Sequence, residues 1–213
     1  MPSQDTMNVP VMELLRDSTA ELHKSAENSR LQRELVKGEL PFERYADYME
    51  QLWVIHRALE KTLAEAESRD ERLAGMAEAA AMHVRHLEVD LAEMRRDIGE
   101  IEPTKAAWDL AQTIELDATT DPVMLAGHFY VLEGSMNGNS FIAKKVGQIY
   151  ELKPNAGLKY LYSYGETQRP RWMAFKDVMN AHAFDSRERE GLVERAKGVF
   201  HAIRAIADEL DAR

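Results

Sequence analysis

Seven histidines and no cysteine leave imidazole as the one nitrogen or sulfur side chain in this 213-residue sequence suited to bind a transition metal. His23, in AELHKSAEN, lies beside the apolar stripe of a helical segment, and Glu27 follows one turn along the same face. A carboxylate so placed accepts a hydrogen bond from one ring nitrogen and leaves the other neutral and aimed at a metal. The same spacing is also common on solvated helix faces, where it makes an ordinary surface pair. His83 and His86 in MHVRHLEVD would suit zinc beside a carboxylate, although such a pair is more often a polar helix face. His56, His128, His182 and His201 stand alone and read as packing or surface residues, and no Glu-x-x-His motif of the di-iron bundle type occurs.

The other unusual feature is a lack of side chains. YVLEGSMNGNSFIAKK, Tyr130 to Lys145, reads as helix yet carries Gly134 and Gly138 on one face. Each interior glycine costs a helix about 1 kcal/mol relative to alanine, so something must require the bare backbone. Either another helix packs closely or the helix kinks there, or a flat ligand lies against the main chain.

These residues need helices to position them, and apolar residues recur at helical spacing nearly everywhere, with no convincing period-2 run. The expected fold is all-α, a single domain of seven to nine helices over residues 11–213, preceded by a flexible leader over residues 1–10. The first helix spans Val11 to about Ser29, with Leu15, Leu22 and Ala26 on its stripe. A short helix stops at Gly38. Pro41 opens the next, Phe42 to about Ser68, with Tyr45, Leu52, Ile55 and Leu59 inward. Further helices cover Leu73 to Met94 and Lys105 to Leu116. Asp121 and Pro122 have the types of an N-cap and first helical residue for the glycine-bearing segment. After ELKPNAG and a loose aromatic region, Leu158 to Tyr164, come a helix over Arg171 to His182 and a last one opened by Asp185 and Glu188, spaced as a capping box.

Composition narrows the partners. The formal charge of −10 disfavours nucleic acid and anionic membranes, so an anionic ligand needs a local basic patch. The missing cysteines remove disulfides, thiolate nucleophiles, iron–sulfur clusters and covalently attached c-type haem. No segment has the apolar length of a membrane span, and MPSQDTMNVP lacks the basic and apolar regions of a signal peptide, so a cytoplasmic location is expected.

Taken together, LHKSAE and EGSMNG resemble the haem oxygenase family, through Leu22, His23, Ala26 and Glu27 on one side and Tyr130, Glu133, Gly134, Ser135 and Gly138 on the other. The wording YVLEGS is more similar to the bacterial, biliverdin-producing branch than to the animal one. The likeness extends to SRLQRELVKGELPFERYADYMEQLWVIHRALE and to AKGVFHAIRAIADEL. It implies haem b, both cofactor and substrate, held between a proximal helix carrying the iron ligand His23 and a kinked distal helix. It further implies haem contacts from Phe129, Tyr130 and Phe200, and propionate contacts from Arg16, seven residues before His23, and from Lys176. Lys24 and Arg171 are weaker candidates, and any of these cations can equally be solvated surface charge.

The implied activity is oxidative cleavage of haem to biliverdin, carbon monoxide and ferrous iron with O2. Electrons would come from an external reductase or ferredoxin, since no flavin or nicotinamide motif is visible. Animal-type members carry aspartate after the first distal glycine, where this chain has Ser135, so protons are expected through ordered water near Ser135, Asn137 or Asn139. A haem carrier or sensor using His23 without turnover is the alternative. The thiamin-hydrolysing and di-iron relatives of the same architecture need a cysteine or a further ligand set that this sequence does not offer.

Overall fold

Every regular element in the computed structural model is helical among the residues that the structure describes, 9–152 and 157–213. The expected leader and part of ELKPNAG therefore lie mostly outside the described residues. The helices are α1 (Val11–Glu27), α2 (Arg30–Lys37), α3 (Phe42–Ala66), α4 (Met76–Glu93), α5 (Lys105–Thr120), α6 (Leu125–Ile149), α7 (Gln168–Ala181) and α8 (Ser186–Asp211). Their starts follow local chemistry. Ser29 and Thr104 accept from the backbone N–H of Gln32 and Ala107, and Asp185 and Glu188 close the expected capping box at α8.

The start of α6 differs from expectation. Asp121 makes no side-chain cap; its carboxylate takes Arg187 at 2.8 Å, and Pro122–Met124 form a 3₁₀ turn running directly into the helix. The end of α5 also lies later than expected, at Thr120, because Asp117 and Ala118 are buried and keep the last turn wound.

α3 is the central helix, packed on α4 and α5, with Tyr45, Ile55, Leu59 and Leu63 buried; each such apolar side chain contributes roughly 1.5–3 kcal/mol. α8 lies behind both α1 and α6 and packs against each. Its contact with α6 is intimate at Gly127, where a Cβ would stand 2.7 Å from the Leu192 carbonyl oxygen. α1 departs from its expected stripe: Val11, Met12, Leu15 and Thr19 are buried, but Leu22 and Ala26 are only half-buried. The C-terminal half of α1 is only partly covered, because Ala20, His23, Ala26 and Glu27 face an open cavity.

Candidate functional site

That cavity has a volume of about 870 Å³, within the range of sites for sizeable organic ligands. α8 backs it, contributing Phe200 and Ile203, and holds α1 and α6 to either side. From α1 come Arg16, Thr19, His23 and Glu27; from α6 come Tyr130 and the stretch around Gly134 and Gly138. Tyr48 and Leu52 of α3 and Tyr160 of the loop before α7 contribute further lining.

His23 is half-exposed at this wall, and its ring meets the Phe200 ring edge-on at 5.6 Å between centroids. Nδ1 lies 3.6 Å from Glu27 Oε1. That is too long for the hydrogen bond expected from the spacing. Among the described residues Arg16 is the one Lys or Arg on the cavity wall; its guanidinium pairs with Asp17 at 2.8 Å and with Glu13 at 3.4 Å. The Asp17 hydrogen bond raises its pKa further, so it is a permanent cation at the rim.

On α6 the two glycines differ. Nothing lies within 4 Å of a Cβ built on Gly138, so the bare backbone there faces open space, whereas at Gly134 that atom would sit 3.3 Å from the Trp172 ring. Close packing of another helix thus accounts for Gly134 but not for Gly138, and both lie within one uninterrupted helix. The neighbouring polar groups mostly bond locally. Ser135 Oγ donates to the Leu132 carbonyl at 2.7 Å, Asn137 to the Gly134 carbonyl at 3.0 Å, and the buried Asn139 amide to Met136 Sδ at 3.4 Å.

Two residues expected to touch the ligand lie elsewhere. Phe129 is buried behind the wall with its ring on Phe175 at 5.2 Å, because α6 turns that face toward α7. Lys176 is half-buried on α7 and does not line the cavity. Arg171 packs over the Tyr164 ring at 4.8 Å instead of reaching the cavity.

Sequence spacing missed a buried polar cluster behind the cavity. His83, read as a polar helix face, is 1 % exposed, with Nε2 3.0 Å from Glu133 Oε2. Tyr164 Oη stands 2.9 Å from the same carboxylate oxygen and 3.2 Å from the same ring nitrogen. Ser163 Oγ meets Nδ1 of both His83 and His86, at 3.3 and 3.1 Å. His56 Nε2 lies 2.8 Å from the hydroxyl of Tyr160, which lines the cavity. Burial pushes the Tyr160 hydroxyl pKa far up and, with the nearby His83 ring, that of His56 well down, so both are neutral. Asp90 anchors the loop by accepting the backbone N–H groups of Lys159 and Tyr160 at 2.8 Å each. Burial raises Asp90 to about 6 against the pull of those two bonds. The sequence signal available was only the apolar setting of His56 and His83; their partners are 104 and 50 residues away. Among the described residues no three His, Asp or Glu side chains gather as a metal-binding group.

The arrangement has the features a metalloporphyrin requires. It offers a large, mainly apolar space for the ring, an imidazole on one wall, backbone without side chains on another, and a cation at the rim for a carboxylate. Resident protein ligands alone would not fill it.

Comparison with known proteins agrees. The family model described as Heme oxygenase matches residues 9–209. Heme oxygenase 2 of Macaca fascicularis is 26 % identical over 208 residues, covering 93 % of this chain and 65 % of its own length; the chain thus spans about two thirds of that relative. Heme oxygenase-1 of the cyanobacterium Synechocystis sp. PCC6803, solved in complex with heme, superposes with a TM-score of 0.84 at 20 % identity over 96 % of this chain and 93 % of its own. The heme oxygenase of Leptospira interrogans gives 0.83 at 21 % over 94 % and 100 %. With the match running from the start of α1 nearly to the end of α8, this chain belongs to the haem oxygenase family.

Proposed function

We propose that the protein is a biliverdin-producing haem oxygenase, opening haem to biliverdin, carbon monoxide and ferrous iron with O2 and electrons from an external reductase or ferredoxin. The observation that carries this reading is that His23 and the open backbone at Gly138 line the same 870 Å³ cavity. Haem, when bound, supplies the iron at which O2 is reduced and the ring that is oxidised.

The remaining work belongs to the chain. His23 would hold the haem iron through a ring nitrogen, a donor in place of a thiolate, with Glu27 Oε1 3.6 Å from its Nδ1. Gly138 leaves the space beside the helix open for a small diatomic molecule, and Gly134 lets Trp172 close against α6. Tyr130 and Phe200 would pack against the ring, and Arg16 would pair with a propionate. Ser135, Asn137 and Asn139 are the polar groups of the distal side, although each already bonds within α6, so they order water more readily than they release a proton.

The test is haemin titration of the wild type and of His23→Ala, followed by reductant and air. The wild type is expected to show a Soret band that decays as bilin absorption rises, and the variant to lose the axial-ligand signature. A stable Soret band under turnover conditions would make the protein a carrier, and identical spectra in the variant would remove His23 from the iron.

A further inference from the structure

The cavity has two distinct ends. Tyr130, early in α6, stands beside Thr19 of α1, and Ile149 at the end of α6 packs on Gly38, where a Cβ would come within 3.1 Å of it. α1 followed by α2 therefore runs along the cavity in the same direction as α6. Arg16 and Tyr130 mark one end; Gln32 and Val36 of α2, with Phe141 of α6, mark the other. Arg16 precedes His23 by about 10 Å along α1, at a helical rise of about 1.5 Å per residue, and Gln32 lies beyond the end of that helix.

At the α2 end two polar side chains are left to the cavity. Ser29 and Gln32 have capping-box spacing, and Ser29 Oγ accepts the Gln32 backbone N–H at 3.3 Å. The reciprocal bond does not form, because the Ser29 N–H donates to the Ala26 carbonyl at 3.0 Å. The Gln32 amide is thereby released from its own helix and lines the cavity beside the Tyr48 hydroxyl. Burial pushes that hydroxyl up to about 12, so it stays a donor near neutral pH. Other polar groups of the wall are engaged by the protein: Thr19 by the Leu15 carbonyl at 2.7 Å, Tyr160 by His56, and Ser135, Asn137 and Asn139 within α6. Among the described residues, the Gln32 amide and the Tyr48 hydroxyl have no partner but each other. The wall around them is apolar, with Leu35, Met49, Leu52 and Ile142. Haem suits such a pair poorly, since with a propionate at Arg16 its far edge brings only vinyl and methyl carbons. An opened ring differs. Loss of the bridging carbon as carbon monoxide leaves each flanking pyrrole as a lactam, with a carbonyl oxygen and an N–H side by side, and a primary amide carries the complementary donor and acceptor.

We propose that Gln32 and Tyr48 form a subsite for the terminal lactams of an open-chain tetrapyrrole, so that the cavity grips its product at the end opposite Arg16. The inference rests on the function proposed above, which generates that product. Gln32 accepts a lactam N–H through Oε1 and donates through Nε2 to the carbonyl oxygen, and Tyr48 Oη donates a further bond. While the ring is intact these groups meet only carbon, so each bond they form favours product over substrate. Departure of the bilin is slowed accordingly, since such bonds act mainly on the rate of dissociation.

Titration with supplied biliverdin IXα, the isomer opened at the bridge farthest from its propionates, tests the subsite without turnover. Gln32→Met, which keeps the side-chain length and helix propensity, is expected to raise the Kd for this bilin about tenfold, and Tyr48→Phe about threefold. The Kd for haemin is expected to stay within about twofold of the wild-type value or to fall, which also shows that the variants fold. The lactam carbonyl infrared band of the bound bilin is expected to move to higher frequency in Gln32→Met, as loss of a hydrogen bond requires. An unchanged biliverdin Kd, or equal weakening of biliverdin and haemin, would overturn the proposal. So would an equal loss of affinity for diacetyldeuterohaemin, which carries carbonyls on an intact ring, because the pair would then read the porphyrin. A wild type that leaves haemin intact under reductant and air would instead refute the function proposed above, and the bilin titration would alone decide the subsite.

Discussion

Two buried histidine–carboxylate pairs meet α6, and they have different partners. His128 donates through Nε2 to Asp117 at 2.8 Å, and Arg195 of α8 grips the same carboxylate with two bonds of 2.7 Å. Burial alone would raise the Asp117 pKa, but the bonds from His128 and Arg195 win and hold it below its usual value. His128, lowered by burial despite that partner, stays neutral. Five residues further along, Glu133 has a histidine and a tyrosine but no guanidinium bonded to it. The first pair is locked by a cation that cannot leave, and it ties α5, α6 and α8 together. The second is held by contacts with His83 and Tyr164 and has no bonded guanidinium. The two carboxylates thus differ in whether a cation grips them.

The comparison is broken most severely at Asp117. Asp117→Asn leaves Arg195 without its anion, and denaturant unfolding is expected to show a loss of about 3 kcal/mol, the lower end for a buried pair because Arg195 is partly exposed. Asp90 offers an intermediate case, a buried carboxylate satisfied by two peptide N–H groups alone. Its folded pKa of about 6 lies above the model-compound 3.8, so the folded state holds the extra proton and stability falls as pH rises between those values. The fall is expected to reach about 3 kcal/mol, and Asp90→Asn to remove it, as unfolding curves measured across that interval would show.

Glu133→Gln, the same chemical change as at Asp117, is expected to cost about 1 kcal/mol or less, because no guanidinium loses its anion there and the amide can still bond His83 and Tyr164. Equal losses at 117 and 133 would abolish the distinction between the two pairs. The smallest effect belongs to the open face of α6. Gly138→Ala is expected to raise the stability of the ligand-free protein by up to about 1 kcal/mol, since the methyl meets nothing, while weakening haemin binding by filling the space kept clear.

Much of this molecule was readable along the chain. Helical periodicity places every long helix, the capping box at Asp185 and Glu188 forms as its spacing predicts, and the inward set Tyr45, Leu52, Ile55 and Leu59 is buried. His23 and Glu27, or Gly134 and Gly138, are one turn apart, so a helix alone decides that they share a face, and both pairs line the cavity. Whether a given face is covered is another matter. Leu22 and Ala26 share the stripe of Leu15, yet both are only half-buried, and Ala26 lines the cavity left open where α8 packs against both α1 and α6.

What sequence by itself determined, then, is the helical class, most element boundaries and the local pairs within single turns, because each depends on interactions between residues a few positions apart. Only tertiary structure decided that His83 meets Glu133, that His56 meets Tyr160 and that Phe129 and Lys176 turn away from the cavity. Those outcomes hinge on how three or four helices pack, and a titratable side chain acquires its charge state from neighbours that arrive from distant parts of the chain.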